Sequence, residues 1–187
     1  MRIFLLDNYD SFTYNLVHVF ASLTGEAVTV QLNDEVDFDQ VAQHDRIVLS
    51  PGPGLPAQAG KMRELIERFS LTHPMFGVCL GHQALAEHFG AKLVNLPAVH
   101  HGVSHAISHE DNRLFKGLPS TLEVGRYHSW VVGEDSFPSV LKVTARDQAG
   151  VIMAFKHQNL DICGVQFHPE SVLTPQGKAI LSNWLSS

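Results

Sequence analysis

Residues 3–6 are apolar without a break and run into Asp7, the pattern of a short buried strand. From 11 to 23 the spacing changes. Phe12, Leu16, Val19, Phe20 and Leu23 recur at helical period, and Asp10 or Ser11 can cap that helix. Residues 27–32 alternate like a strand and 37–43 suit a short helix. A strand over 46–50 stops at the breaker Pro51-Gly52-Pro53-Gly54. Met62, Leu65, Ile66 and Phe69 mark the apolar face of a helix over 62–71. A strand over 74–78 and a helix over 80–89, closed by Gly90, complete the series. Strands that alternate with helices predict a mostly parallel sheet covered on both faces.

Beyond residue 91 the texture changes. Short strand-like runs at 93–94, 103–107, 122–124, 140–145, 151–155 and 162–167 follow one another with turn residues between them. They predict added, largely antiparallel strands. A final helix over 175–185 has Pro175 in its first turn. No linker, repeat or low-complexity segment interrupts the chain. The expectation is one α/β domain over residues 1–187: a flavodoxin-like, mostly parallel central sheet, helices on both faces, and antiparallel strands added in the C-terminal half.

Composition narrows the function. With 187 residues, 44% hydrophobic and 17% charged, the chain can bury a sizeable core. A formal net charge of -6 argues against nucleic acid or an anionic membrane as partner. No apolar run approaches the ~18 residues of a spanning helix, and the segment from Met1 to Asp7 lacks a signal-peptide core. The expected location is the cytoplasm. Two cysteines, Cys79 and Cys163, make no disulfide framework, so one of them is open to nucleophilic work.

Cys79 is the better candidate. Gly77-Val78-Cys79-Leu80-Gly81 places it between two glycines at a strand-to-helix junction, the setting of a nucleophile elbow. A helix N-terminus favours thiolate over thiol, and the thiolate is the reactive form. Cys163 lies in the apolar run Ile162-Cys163-Gly164-Val165 and reads as core. A nucleophile needs a base, and the base an orienting group. Gln166-Phe167-His168-Pro169-Glu170 offers both at a strand end, where residues two apart in extended chain share a side. The backbone N–H groups of Gly54 and Leu80 are candidate oxyanion donors, because the prolines around Gly54 have none to give. Zinc bound by the His-x-Glu pair would need a Cys-x-x-Cys that the chain does not contain, so neither metal nor cofactor is expected.

Together, Ser50-Pro51-Gly52-Pro53-Gly54, Gly77-Val78-Cys79-Leu80-Gly81-His82-Gln83 and Gln166-Phe167-His168-Pro169-Glu170 resemble the motifs of the class I, triad-type glutamine amidotransferases, in the family's order. Leu6-Asp7-Asn8-Tyr9-Asp10-Ser11-Phe12-Thr13-Tyr14-Asn15 and Arg126-Tyr127-His128-Ser129 look like the glutaminase subunits of anthranilate and aminodeoxychorismate synthases. The resemblance implies that Cys79 attacks L-glutamine, His168 serves as base and acid, and Glu170 orients it. It implies that Gly52, Gln83, Ser129 and Trp130 hold the substrate; relatives often carry Leu at the place of Trp130. It also implies a partner, a chorismate-using synthase subunit that receives the ammonia. A Cys hydrolase of the DJ-1 or protease type would account for the elbow but not for the other two motifs. A non-catalytic regulatory module would not need Cys79, His168 and Glu170 together.

Overall fold

The computed structural model describes residues 1–97 and 102–186. Its N-terminal half builds β1 (Ile3–Asp7), α1 (Thr13–Thr24), β2 (Thr29–Leu32), α2 (Phe38–Val41), β3 (Arg46–Leu49), α3 (Met62–Phe69), β4 (Met75–Val78) and α4 (Leu80–His88). The second half adds β5 (Leu93–Asn95), β6 (Val103–His109), β7 (Thr121–Arg126), β8 (Trp130–Val132), β9 (Leu141–Asp147), β10 (Ile152–His157), β11 (Ile162–Val165) and α5 (Gly177–Leu185).

Nine of these strands form one sheet, in the order β2-β1-β3-β4-β11-β10-β9-β6-β7. The first five are mutually parallel. The last four are joined antiparallel. β11 is therefore the seam between a parallel half and its antiparallel extension.

Period-two alternation divides the core into two layers. Ile3, Leu5, Val48, Phe76 and Val78 face one way, against Leu16 and Phe20 of α1 and Ile180, Leu181 and Trp184 of α5. Phe4, Leu6, Ile47, Leu49 and Met75 face the other way, against Met62, Leu65 and Ile66 of α3 and Ala84 and Leu85 of α4. The continuous apolar runs of β1 and β3 follow from being covered on both faces.

Three local expectations need correction, and one strand is new. Neither Asp10 nor Ser11 caps α1; Phe12 holds the N-cap position without a side-chain bond. Asp10 instead closes the preceding turn, its carboxylate accepting from the Phe12 N–H at 2.8 Å. The final helix starts at Gly177, so Pro175 precedes it rather than opening its first turn. β11 stops at Val165, two residues before the expected end. Finally, β8 went unforeseen. It is three residues long, too short to show a period, and pairs with β5 outside the main sheet.

Candidate active site

The turn from β4 into α4 holds one of two non-glycine residues with positive φ among the described residues. Cys79 has φ 50° and ψ −98°, a region that non-glycine residues occupy at a cost of order 1–3 kcal/mol. The flanking glycines make the turn possible. A Cβ on Gly77 would lie 2.5 Å from the Gly81 backbone, and one on Gly81 would meet the Leu49 carbonyl. Cys79 N–H donates to the Val165 carbonyl at 2.9 Å, which ties the elbow to the end of β11. No side chain caps α4, and the first N–H groups of a helix have no partner within it. Leu80 is the first residue of that helix, so its N–H stands beside the cysteine.

The chain leaves β11 at Val165 and bends, so the extended geometry expected across residues 166–170 does not hold. A turn brings the carboxylate back instead. Ser171 N–H donates to the His168 carbonyl at 3.2 Å, and Thr174 Oγ1 donates to the same oxygen at 2.6 Å. His168 Nδ1 lies 2.6 Å from Glu170 Oε1, and both side chains are almost fully buried. Burial disfavours a charged ring, but the neighbouring Cys79 thiol and the Glu170 carboxylate outweigh it and push the His168 pKa up to about 10. Nε2 itself makes no hydrogen bond of good geometry. Tyr127 and Phe12 hold the ring edge-on, with centroids 4.8 Å and 5.5 Å from that of His168.

Cys79 opens into a cavity of about 270 Å³ whose walls include Gly52, Pro53, Gly54, Gln83, Tyr127, His128, Ser129 and Trp130. The structure thus brings Cys79 together with Gly52, Gly54, Gln83, Ser129 and Trp130, which come from three separate stretches of chain. Leu80, His168 and Glu170 are buried behind this wall. Gly52 is wedged: a Cβ there would sit 2.5 Å from Asn8 Cβ and 2.8 Å from Leu80 Cδ2. A larger cavity, about 360 Å³, lies at the far end of β11 beside Arg113, Asp161 and Cys163. Burial pushes the Cys163 thiol up to about 12 there, which leaves it unreactive.

Sequence reasoning gave no role to Gln166. Its Nε2 faces Cys79 Sγ at 3.6 Å, and its Oε1 accepts from Gln83 Nε2 at 3.2 Å. The signal was its place two residues before His168. Tyr127 and His128 were quoted only as a motif, yet both line the cavity. Among the described residues, no group of three or more His, Cys, Asp or Glu side chains is placed to hold a metal ion. Among them, too, no helix is long and apolar enough to cross a membrane.

The family model for glutamine amidotransferase class-I matches residues 4–187. The chain is 47% identical to anthranilate synthase component 2 of Pseudomonas aeruginosa, over 97% of this chain and 93% of that protein. It is 45% identical to aminodeoxychorismate synthase component 2 of Escherichia coli, over 98% of each. A solved structure from Thermoplasma acidophilum, described as part of a GMP synthase, superposes with a TM-score of 0.88 at 27% identity, covering 99% of this chain and 92% of that one. A match that runs nearly from end to end, with relatives similar over their whole length, leads to one conclusion: the chain belongs to the class-I glutamine amidotransferases.

Proposed function

We propose that this chain hydrolyses L-glutamine through Cys79, His168 and Glu170 and passes the ammonia to a synthase subunit that uses chorismate. The observation that carries the reading is the single cavity in which Cys79 meets Gly52, Gly54, Gln83, Ser129 and Trp130. Cys79, its proton held by His168, adds to the side-chain carbonyl carbon of glutamine. Leu80 N–H, at the open N-terminus of α4, and Gly54 N–H receive the developing oxyanion. The His168 imidazolium gives its proton to the amide nitrogen, the C–N bond breaks, and ammonia leaves. His168 then takes a proton from water, whose oxygen adds to the glutamyl thioester. The C–S bond breaks, releasing glutamate and restoring Cys79. Glu170 keeps the ring in place throughout.

The synthase partner rests on kinship with the component 2 proteins. Ammonia released without an acceptor would waste glutamine, so the reading requires a docked consumer of ammonia. A reactive free thiol also suits the reducing cytoplasm. The test is a pull-down from source cells, followed by incubation of the complex with chorismate and glutamine. Formation of anthranilate or aminodeoxychorismate, lost when Cys79 is alkylated, supports the reading. Glutamine hydrolysis unaffected by alkylation of Cys79 overturns it.

A further inference from the structure

Behind the cavity lies a buried ion pair that the proposed chemistry does not use. Arg126, the last residue of β7, places Nη1 2.6 Å from Asp147 Oδ2 at the end of β9, with side chains 1% and 6% exposed. Such a pair is weak evidence for stability, because desolvation of both charges offsets their attraction. Among the described residues Arg126 Nη2 also has no hydrogen-bond partner, which adds a further cost.

The pair stands at the head of a directed chain of hydrogen bonds. Asp147 is fixed by its own turn, Oδ1 accepting from the N–H groups of Ala149 and Val151 at 2.9 Å and 2.8 Å. Arg126 Nε donates to His128 Nε2 at 3.2 Å. A guanidinium can only donate, so Nε2 must accept and the ring proton sits on Nδ1. Nδ1 then donates to the Trp130 carbonyl at 3.1 Å. That oxygen also accepts from Gln83 Nε2 at 2.8 Å, and Gln83 leads through Gln166 to Cys79. One peptide earlier, the Ser129 carbonyl accepts from Leu96 N–H at 2.7 Å. The peptide planes on both sides of Trp130 are thus fixed.

Given the proposed glutamine site, on which this inference rests, we infer that Arg126 and Asp147 are positioning residues for substrate. The buried charge sets the polarity of the His128 tautomer and so holds the Ser129–Trp130 backbone and Gln83 in the arrangement that receives the amino-acid part of glutamine. A neutral residue at position 126 removes the donor that fixes the His128 tautomer and ring orientation, so the bond from Nδ1 to the Trp130 carbonyl is no longer held in place. The wall then shifts while Cys79, His168 and Glu170 stay in place.

The test separates binding from nucleophile reactivity by alkylating Cys79 in the full chain with two reagents. One is a glutamine analogue carrying a diazoketone in place of the amide; the other is iodoacetamide, which lacks the amino-acid part. The variants are Arg126→Gln, Asp147→Asn, and the two combined, which leaves no uncompensated buried charge. The expected result is a half-saturating analogue concentration raised about tenfold, the size of one well-placed hydrogen bond. The maximal analogue rate and the iodoacetamide rate should stay within about twofold of the parent protein. A folded double variant that saturates with the analogue as the parent does overturns the positioning role. Equal loss toward both reagents also overturns it, because that is the mark of a collapsed site. A parent protein that shows no saturable labelling of Cys79 by the analogue removes the glutamine reading itself.

Discussion

The two cysteines are almost equally hidden, 6% exposed for Cys79 and 5% for Cys163, and they belong to the ends of neighbouring strands. Exposure therefore does not decide which one reacts. Cys163 sits inside β11, in ordinary extended pairing with Phe76 on one side and Lys156 on the other. Burial drives its thiol up to about 12. Cys79 sits one residue beyond β4, in a strained turn at the head of a helix, beside a histidine whose pKa is raised by Cys79 and Glu170 against the effect of its burial. The lesson concerns sheet direction. At the carboxyl ends of parallel strands, loops and helix N-termini converge and build a site. At the opposite ends the same residue type is filler.

The sharpest way to break this contrast is Cys79→Ser. Glutamine-dependent turnover should vanish with the fold intact, because a hydroxyl is far less acidic than a thiol. A complex with the proposed synthase partner should still use added ammonium salt. Steady-state assays with each nitrogen source decide the matter, and residual glutamine-dependent turnover would refute the assignment.

Next in size, His168→Ala should cost about 10²–10⁴ in rate, the usual worth of a general acid–base. Glu170→Gln should cost less, since the ring keeps a neutral partner. Small and equal effects of the two, measured as kcat/KM for glutamine, would turn the triad into a binding cluster.

A third test sharpens the contrast through His82, which lies three residues after Cys79 and packs against Gly164, the neighbour of Cys163. A Cβ on Gly164 would sit 3.0 Å from His82 Nδ1. Burial lowers the His82 pKa to about 3. Between that value and the ordinary 6.5, the unfolded chain binds a proton that the folded chain refuses. Stability is therefore intact above pH 6.5 and lost as pH falls, by ~1.4 kcal/mol per unit. His82→Gln should remove ~2 kcal/mol of the loss seen between pH 7 and pH 5 in urea unfolding. Identical losses in variant and parent would show that the buried ring does not titrate on unfolding.

The smallest effect belongs to Cys163→Ser. It buries a hydroxyl and should cost about 1–3 kcal/mol of stability while leaving glutamine turnover unchanged. In the native parent protein, mass spectrometry after brief alkylation should find label on Cys79 alone. Label on Cys163 under those conditions would overturn the contrast between the two strand ends.

What could be read in the chain was local. Gly77, Cys79 and Gly81 announce the elbow because the steric demand falls within five residues, and the apolar runs of β1, β3 and β4 announce a sheet covered on both faces. What could not be read depends on long-range closure. Arg126 and Asp147 are 21 positions apart and meet only through the pairing of β6 with both β7 and β9. The turn that returns Glu170 to His168 is held by Thr174, a residue with no periodic signal. β8 exists because β5 offers it an edge, not because three residues prefer to be extended.

The position of β11 has a consequence for the newborn chain. It follows β1 to β10 in the chain, yet it belongs between β4 and β10, near the middle of the sheet. Until it arrives, β4 presents an open edge, and the cysteine that follows β4 has neither its backbone anchor at Val165 nor the proposed base. His168 and Glu170 emerge directly behind the strand that closes the gap. With His168 as the proposed base, completion of the sheet and arming of the Cys79 thiol are one event.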